Sequence, residues 1–557
     1  MIDSTKIRFR ANPWVKAILI CAGFAALYLL IAHSSTLWDR DEARFARATV
    51  EMIESGNYLV PTFNGSLRPD KPILIYWLMS IPVRLLGPSE VACRFCQCTG
   101  TAITLLLVFY IGRKLFDAKA GLWAEAILAT TLLMMLVGSA AIVEGALLPV
   151  IVGAMAVFVG RLGLKLRLID AVAIGILMGF GALAKGPLGL MPLPVMLVIL
   201  WFGRRDIGDF VRGLLPVALA TILAAGIFMA WLIPVDKATN GDFSRLFFGH
   251  HVFERATSTL EGHGGRFFMY LLFYPAIIIG FFFPWTIFLP GAISATAGKR
   301  IGVDGSRNIL LSWMLVPVIV MTLAATKLPH YILFAWPAMA IMAGGVIAGA
   351  GRGDLSERDK GWLRGGIWFF MPVGLGIGSG FIAAGYFLKI DEIKLPGLIC
   401  GLIVLAMTTI CGVSQAGGTF ARSAKIVIAT MIAILAPILF GLLPAVEEIK
   451  IGPDIAKAVK EKTNKDMPTA MYKYAEPTLN FYMGRKIDLF KKEYEVTEWL
   501  NQPGRRVLII PRKDLAGIIQ KTDHLTFDEI ASKEGTNYSN GAKLDAVALV
   551  CENLTVK

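Results

Sequence analysis

A mainly α-helical membrane protein with many spans and a small α/β tail is predicted by three observations. The first is composition. Of 557 residues, 55% are hydrophobic types and 17% are charged, and mean hydropathy is +0.63, whereas soluble domains carry about a quarter charged residues. The second is a succession of apolar segments near the length of about 20 residues that crosses a bilayer core. The third is a change of texture near residue 446, beyond which short β-rich runs alternate with helix-like stretches. Together these exclude a soluble enzyme, a disordered chain and a disulfide scaffold.

Apolar segments fall near 14–33, 97–112, 120–137, 145–160, 171–184, 187–202, 213–235, 267–290, 308–325, 331–350, 365–388, 396–413 and 426–445, thirteen in all. The first is read as a span and not as a cleaved signal, because no small-residue cleavage site follows it. A further segment, 71–86, is apolar but short and carries Arg84. The positive-inside rule decides its placement. If it does not span, Lys6, Arg8 and Arg10 share a side with Arg113/Lys114, Arg161/Arg167, Arg204/Arg205, Lys299/Arg300, Arg352/Arg358 and Arg422/Lys425. If it does, the N-terminus opposes every other basic loop. The segment is therefore read as a juxtamembrane or re-entrant helix on the outer side. The chain is expected to start in the cytoplasm, cross thirteen times and end outside.

Two regions follow: a membrane part over 1–445 and a tail domain over 446–557. In the tail, runs 469–474, 506–510 and 544–550 read as strands, and 476–484, 496–501 and 515–521 as helices, giving a compact α/β fold. The net charge of +14 lies almost wholly before the tail, which holds 18 basic and 17 acidic residues. A balanced tail gives no basic soluble patch, so nucleic acid is not an expected partner. No GxxxxGK[ST] or GxGxxG motif appears, so nucleotide use is unsupported. Cys93, Cys96 and Cys98 lie close together, but no second cluster completes a zinc set.

With orientation assigned, the polar residues of the outer side can be gathered. The loop 34–96 contains Asp41-Glu42-Ala43-Arg44-Phe45-Ala46, in which Asp41, Arg44 and Phe45 share a helical face. The same loop later has Arg68-Pro69-Asp70-Lys71-Pro72. Further outer loops add Glu144, Lys185-Gly186-Pro187, the stretch Phe247–Arg255 with His250 and His251, and Lys327-Leu328-Pro329-His330-Tyr331. Taken singly, each has a structural reading: an interfacial ion pair, a helix cap, a hairpin breaker or an interface anchor. Their shared sidedness favours a functional site, since such groups are costly near lipid. Glu125 lies inside a span near its cytoplasmic end and is expected to pair with a neighbouring base.

The run Asp41-Glu42-Ala43-Arg44-Phe45-Ala46, followed about thirty residues on by Asp70-Lys71-Pro72, resembles the D-E-x-R-[YF]-A … [ED]-K-P-P signature of the GT-C lipid-linked sugar transferases. Within that group the chain most resembles the lipid A 4-amino-4-deoxy-L-arabinose transferase family, relatives of the protein O-mannosyltransferases. Ala184-Lys185-Gly186-Pro187, Phe247–Arg255 and Lys327–Tyr331 follow the family's order. Phe45 replaces the common Tyr, Asp70 the common Glu, Glu144 the usual Asp, Ile73 the second Pro, and His251-Val252 the usual Glu-His.

The resemblance implies a GT-C fold in a bacterial inner membrane, with site and tail domain in the periplasm. It places Asp41 as the main catalytic acid, with Glu42 beside it, and Glu144 as a second acid. Lys71, Arg255 and Tyr331 take the donor-phosphate positions, with Arg44 and Lys327 as further candidates. The reaction implied is inverting transfer of a sugar, aminoarabinose or a relative of it, from a polyprenyl-phosphate donor to lipid A or another glycan or lipid, by a monomer. No cofactor is required, although Asp70 and His250 are oxygen and nitrogen candidates for a divalent metal. Transfer to protein, as in O-mannosyltransferases, and a lipid-linked sugar flippase are the alternatives. A flippase would show inverted repeats and mid-bilayer charge, and neither is apparent.

Overall fold

The computed structural model describes residues 12–38, 40–162, 164–204, 206–254, 267–387, 390–522, 524–537 and 542–553, without the side chains of His250 and of residues 267–270. Helix runs through the described part of each of the thirteen apolar stretches. Nine helices among the described residues are long and apolar enough to cross a bilayer, or ten if a bent pair counts as one span. The remaining stretches are shorter or interrupted. They include α5 (Ala118–Ala129) with α6 (Leu132–Val137), α7 (Glu144–Gly160) and Pro192–Gly203. α5 packs against α1 (Pro13–His33) and α4 (Glu90–Leu115), and α7 packs against α4 and α8 (Leu168–Lys185).

Two interruptions complete each other. The helix Leu271–Phe281 turns by 107° into Trp285–Ala297 at Pro284, a residue with no amide hydrogen to continue the ladder. The chain between α5 and α6 breaks at Thr130-Thr131. Leu132 N donates to Phe283 O at 2.8 Å, and Trp285 Nε1 donates to Thr130 Oγ1 at 2.9 Å. One backbone group from each break thus finds its partner in the other, and a side-chain bond joins the two, as a water-free core favours.

The segment read as non-spanning forms α3 (Leu74–Leu86), following α2 (Asp41–Ser55). At 13 residues it is about 20 Å long, short of the roughly 30 Å hydrocarbon core. Its Ile81, Leu85 and Leu86 are exposed, an apolar edge suited to the membrane. Between α2 and α3 the Asn64-Gly65 pair, both at positive φ, closes a hairpin of β1 (Thr62–Phe63) and β2 (Ser66–Leu67), the turn chemistry such dipeptides favour.

The tail carries a five-stranded sheet of β3 (Thr469–Tyr472), β4 (Asp488–Phe490), β5 (Arg506–Pro511), β6 (Leu525–Asn537) and β7 (Ala542–Asn553), in the order β4-β3-β5-β7-β6. β3 runs parallel to β4 and β5, and β7 antiparallel to β5 and β6. The central strands are covered on both faces. Met471, Val507, Ile509, Ala546 and Ala548 enter one core, while Ala470, Tyr472, Leu508, Ile510, Val547 and Leu549 enter the other. The period-2 alternation of side chains produces this split. It also explains why these strands read as continuous apolar runs. β4 and β6 went unread: the first has three residues, and the second carries charges along its exposed side.

The tail grips the loop that leads into α2. Tyr482 OH accepts from Leu37 N at 2.7 Å and donates to Glu90 Oε1 at 2.9 Å. Lys450 Nζ donates to Thr36 O at 3.1 Å. Asn64 Nδ2 donates to Ile487 O at 2.7 Å and its Oδ1 accepts from Asn480 Nδ2 at 2.9 Å.

α4 and α7 cross where Gly100 faces Gly145, with backbone against backbone. A methyl group at Gly100 would collide with the Gly145 carbonyl. Because α7 begins at Glu144, the crossing sets the height of that carboxylate. Gly100→Ala is expected to cost at least about 1–3 kcal/mol through overpacking, read as a lower unfolding temperature in detergent, whereas Gly226→Ala, with open space around it, should leave it unchanged.

Candidate active site

α2 begins with two adjacent acids, Asp41 and Glu42. Asp41 occupies its first turn, where the helix N-terminus favours a carboxylate, and it is exposed into a cavity. Arg40, immediately before it, has φ 68°, a backbone conformation that side chains other than glycine and asparagine seldom adopt. Glu42 points the other way and is buried. Its Oε1 accepts from Arg94 Nε at 2.9 Å and from Ala141 N at 2.5 Å. Its Oε2 accepts from Arg94 Nη2 at 2.7 Å and from Trp38 N at 2.7 Å. Arg94 also donates to the carbonyls of Ala32, Ser35 and Thr36 at 2.7–2.9 Å. The carboxylate of Glu42 is thus engaged on both oxygens and ties the end of α1, the start of α2 and the turn before α7 to α4.

The cavity facing Asp41 has a volume of about 550 Å³. Asp41, Arg44 and Phe45 line it together, as the helical spacing predicts, and so do Arg40, Arg68, Asp70, Lys71, Glu144, Lys185, His251, His330 and Tyr331. Five cations thus face three carboxylates across the enclosure, so its field favours an anion. These residues come from the start of α2, the loop before α3, the start of α7, the end of α8, the π-helical turn Phe247–Glu254 and the 3-10 turn Pro329–Ala335. α7 and α8 run in opposite directions, so the start of one and the end of the other lie at one face of the bundle.

Within the cavity, Lys185 Nζ meets Glu144 Oε1 at 2.5 Å, with both side chains buried. The same ammonium lies 5.1 Å from the centre of the Tyr331 ring, and His330 Nε2 is 3.7 Å from Glu144 Oε1. On the other wall, the Arg68 guanidinium lies 5.2 Å from the centre of the Phe45 ring, donates to Tyr76 OH at 2.9 Å and pairs with Asp70 Oδ2 at 3.3 Å. His251 Nε2 lies 3.2 Å from Asp70 Oδ1. Burial raises the tendency of Asp70 to keep its proton, but the hydrogen bond from His251, the charge of Arg68 and the neighbouring Lys71 outweigh it. They hold the carboxyl well below the usual carboxylate range. Lys71 Nζ donates to the Asp70 carbonyl at 3.0 Å.

Not every candidate converges. Arg255 lies outside the described residues, as does the side chain of His250. Lys327 turns away from the cavity: its ammonium donates to the carbonyls of Met321 at 3.0 Å, Thr322 at 2.6 Å and Ala324. There it caps the end of the helix Ser306–Leu323, a favourable place for a cation. Asp70, read as a metal ligand, is met by an imidazole and two cationic side chains. Among the described residues no three His, Cys, Asp or Glu side chains come together as a metal set. Glu125, expected to pair with a base, is buried with neither oxygen partnered among the described residues. Arg68, Lys185, His251 and His330 were visible in their loops as polar residues, but nothing local marked them as cavity residues.

The bundle, its one-sided polar cavity and the α/β tail form the fold of the GT-C membrane glycosyltransferases. The family model described as dolichyl-phosphate-mannose-protein mannosyltransferase matches residues 70–233. The undecaprenyl phosphate-α-4-amino-4-deoxy-L-arabinose arabinosyl transferase of Pectobacterium carotovorum is 29% identical over 389 residues, covering 69% of this chain and 67% of its own. The protein of the same name from Pectobacterium atrosepticum is 30% identical over 375 residues, covering 65% and 66%. That of Erwinia tasmaniensis is 31% identical over 344 residues, covering 60% of each chain. The matches therefore span about two thirds or less of these relatives. The crystal structure of ArnT from Cupriavidus metallidurans bound to undecaprenyl phosphate superposes with a TM-score of 0.74 at 19% identity, over 96% of this chain and 97% of that one. The resemblance carried by the motifs is thus borne out.

Removing Arg94 leaves the Glu42 carboxylate buried without its cation. Arg94→Met is expected to cost about 3–5 kcal/mol, and Arg94→Met combined with Glu42→Leu should recover much of it, both read by chemical or thermal unfolding in detergent. The low-lying carboxyl of Asp70 sets a second expectation. A folded-state pKa depressed below the unfolded value of about 3.9 contributes stability present above that value and lost as pH falls through the folded one. Below about pH 4 the unfolding temperature of the wild type should therefore fall more steeply than that of Asp70→Asn.

Proposed function

We propose that this chain transfers a sugar from a polyprenyl-phosphate donor to a lipid acceptor at the periplasmic face of a bacterial inner membrane, with 4-amino-4-deoxy-L-arabinose or a related sugar going to lipid A. One observation carries this reading: the cation-rich cavity sits between two apolar cavities, each within a residue or two of a proposed catalytic group. The first, of about 480 Å³, shares Asp41 and Ile142 with the polar cavity and is otherwise walled mainly by apolar side chains, Phe283, Phe381 and Leu435 among them. The second, of about 910 Å³, runs between α3, α4, α7 and α8 from Leu74, three residues beyond Lys71, and passes Gly145, next to Glu144. Two substrates with lipid tails and one polar reaction centre match this arrangement. The names of the relatives, and the undecaprenyl phosphate bound in the Cupriavidus protein, point to the same donor class.

In the mechanism that follows, the donor's anomeric carbon lies near Asp41 and its phosphate among Lys71, Arg44 and Tyr331, with Arg255 completing the set. As the anomeric C–O bond breaks, its electron pair leaves with the phosphate, and the cations stabilise the growing charge in a site shielded from bulk water. An acceptor oxygen attacks the opposite face and forms the new glycosidic bond with inversion. A lipid A phosphate arrives as an anion and needs no base, so Asp41 positions it and stabilises positive charge on the sugar ring. A hydroxyl acceptor must lose its proton, and Asp41 is then the base. Glu144 acts through Lys185, holding the ammonium against the Tyr331 ring. Glu42 is assigned to positioning, since both its oxygens are engaged. Topology follows the basic loops, with the N-terminus in the cytoplasm and the tail over 446–557 in the periplasm as a separate domain.

Membrane vesicles given the lipid-linked aminoarabinose donor and lipid A should yield singly modified lipid A by mass spectrometry, and Asp41→Asn should slow this on the order of 10²–10⁴-fold. Full turnover by Asp41→Asn would remove that residue from the mechanism. Modification of a protein hydroxyl with lipid A untouched would move the acceptor to the mannosyltransferase class.

A further inference from the structure

The helix bend at Pro284 opens a third lateral groove, at the opposite end of the bundle from the polar cavity. It has a volume of about 550 Å³ and lies between Trp285–Ala297 and the start of Glu357–Phe387. Its walls are almost wholly apolar, with Pro290, Ile293 and Phe369 prominent among them, and its mouth carries Arg300, Arg358 and Trp362. The placement follows from helix polarity. His330 and Tyr331 open the helical segment Pro329–Ala350 at the polar cavity, and Arg358 follows its far end.

The charges at the mouth do not cancel. Arg300 is matched one to one by the buried Asp359, with Nε to Oδ2 at 2.7 Å and Nη2 to Oδ1 at 2.8 Å. Ser294 Oγ and Ser356 Oγ occupy the same carboxylate at 3.0 and 2.6 Å. Glu357 is paired with Lys360. Arg358 is exposed, and no carboxylate pairs with it among the described residues. It stands four residues before Trp362, so the two share a helical face. A guanidinium beside an exposed indole, above an apolar slot, complements an amphiphile with an anionic head and a hydrocarbon tail.

The geometry points to a binding site for an anionic phospholipid, with one acyl chain in the groove beside Ile293 and the phosphate at Arg358. The occupant is a resident of the leaflet contacted by the basic loops, chemically distinct in place and role from the substrates of the polar cavity. Bound there, it would brace the bend between Leu271–Phe281 and Trp285–Ala297 from the lipid side.

The test uses the full chain in nanodiscs of phosphatidylcholine with added phosphatidylglycerol, followed by native mass spectrometry. The wild type is expected to retain one phosphatidylglycerol in preference to phosphatidylcholine. Arg358→Glu should lower that retention at least fivefold, and Ile293→Trp, which fills the groove without changing charge, should do the same. Arg422→Glu, an exposed cation of the same face outside the groove, should retain the lipid like the wild type. Each variant is compared at matched monodispersity, with Arg358→Gln replacing Arg358→Glu if the latter fails to fold. Equal retention of both lipids by the wild type, an equal fall in the Arg358 and Arg422 variants, or undiminished retention in Ile293→Trp would each overturn the proposal.

Discussion

The site rests on one buried ion pair, Arg94 with Glu42. Neither side chain is more than 3% exposed, and in such surroundings a charge is tolerable only when fully paired and hydrogen-bonded. The pair meets that condition by recruiting backbone groups from separate segments: amides of Trp38 and Ala141 on the carboxylate, and carbonyls of Ala32, Ser35 and Thr36 on the guanidinium. The cost of breaking any of these contacts therefore falls on the relative placement of α1, α2 and the turn before α7. Asp41 is the next residue to Glu42, and Glu144 is three residues beyond Ala141. Asp41 and Glu144, two of the acids that face the cavity, are thus located by Glu42, which does not face it.

Around that anchor, the cavity is assembled from helix ends. A helix terminus brings a side chain to the membrane surface without exposing backbone to lipid, and its dipole adds to the local field. Glu144 at the first position of α7 and Lys185 at the last of α8 meet as a buried pair for this reason. The tail domain acts on the same region from above, through Tyr482 on Leu37 and Asn480 on Asn64. The loop carrying Arg40 and Asp41 is thus held from the bundle side by Arg94 and from the tail side by Tyr482. A cavity assembled from helix ends and loops is thereby made rigid.

The cavities divide by chemistry and not by size. One is polar and cationic in excess, and the others are greasy and lie along helix flanks. A polar and an apolar cavity share Asp41 and Ile142 in their walls, so polar and apolar space border one another there. A soluble sugar nucleotide would have no use for such a border. The proposed lipid-linked donor and lipid acceptor, each with its head at the surface and its tail in the bilayer, would both use it.

The membrane class, the short helix 74–86, the strands 469–472, 506–511 and 542–553, and the common face of Asp41, Arg44 and Phe45 were legible in the sequence. Each depends on local rules: apolar run length, the bias of cations to one side, side-chain alternation and helical periodicity. Tertiary structure alone decided which outer-loop residues meet. Arg94 lies inside an apolar-looking helix, and nothing local tells that it reaches 52 residues back to Glu42. Lys327 sits in a motif beside Tyr331, yet it turns to the carbonyls at the end of the preceding helix, which lack helical amide partners. His251, not a predicted site residue, reaches Asp70, since the π-helical turn Phe247–Glu254 sets which way each side chain points. Sequence determined the solvent each segment lives in; packing determined which charges neutralise one another, because pairing in a low-dielectric interior depends on distances of a few ångströms between residues far apart along the chain.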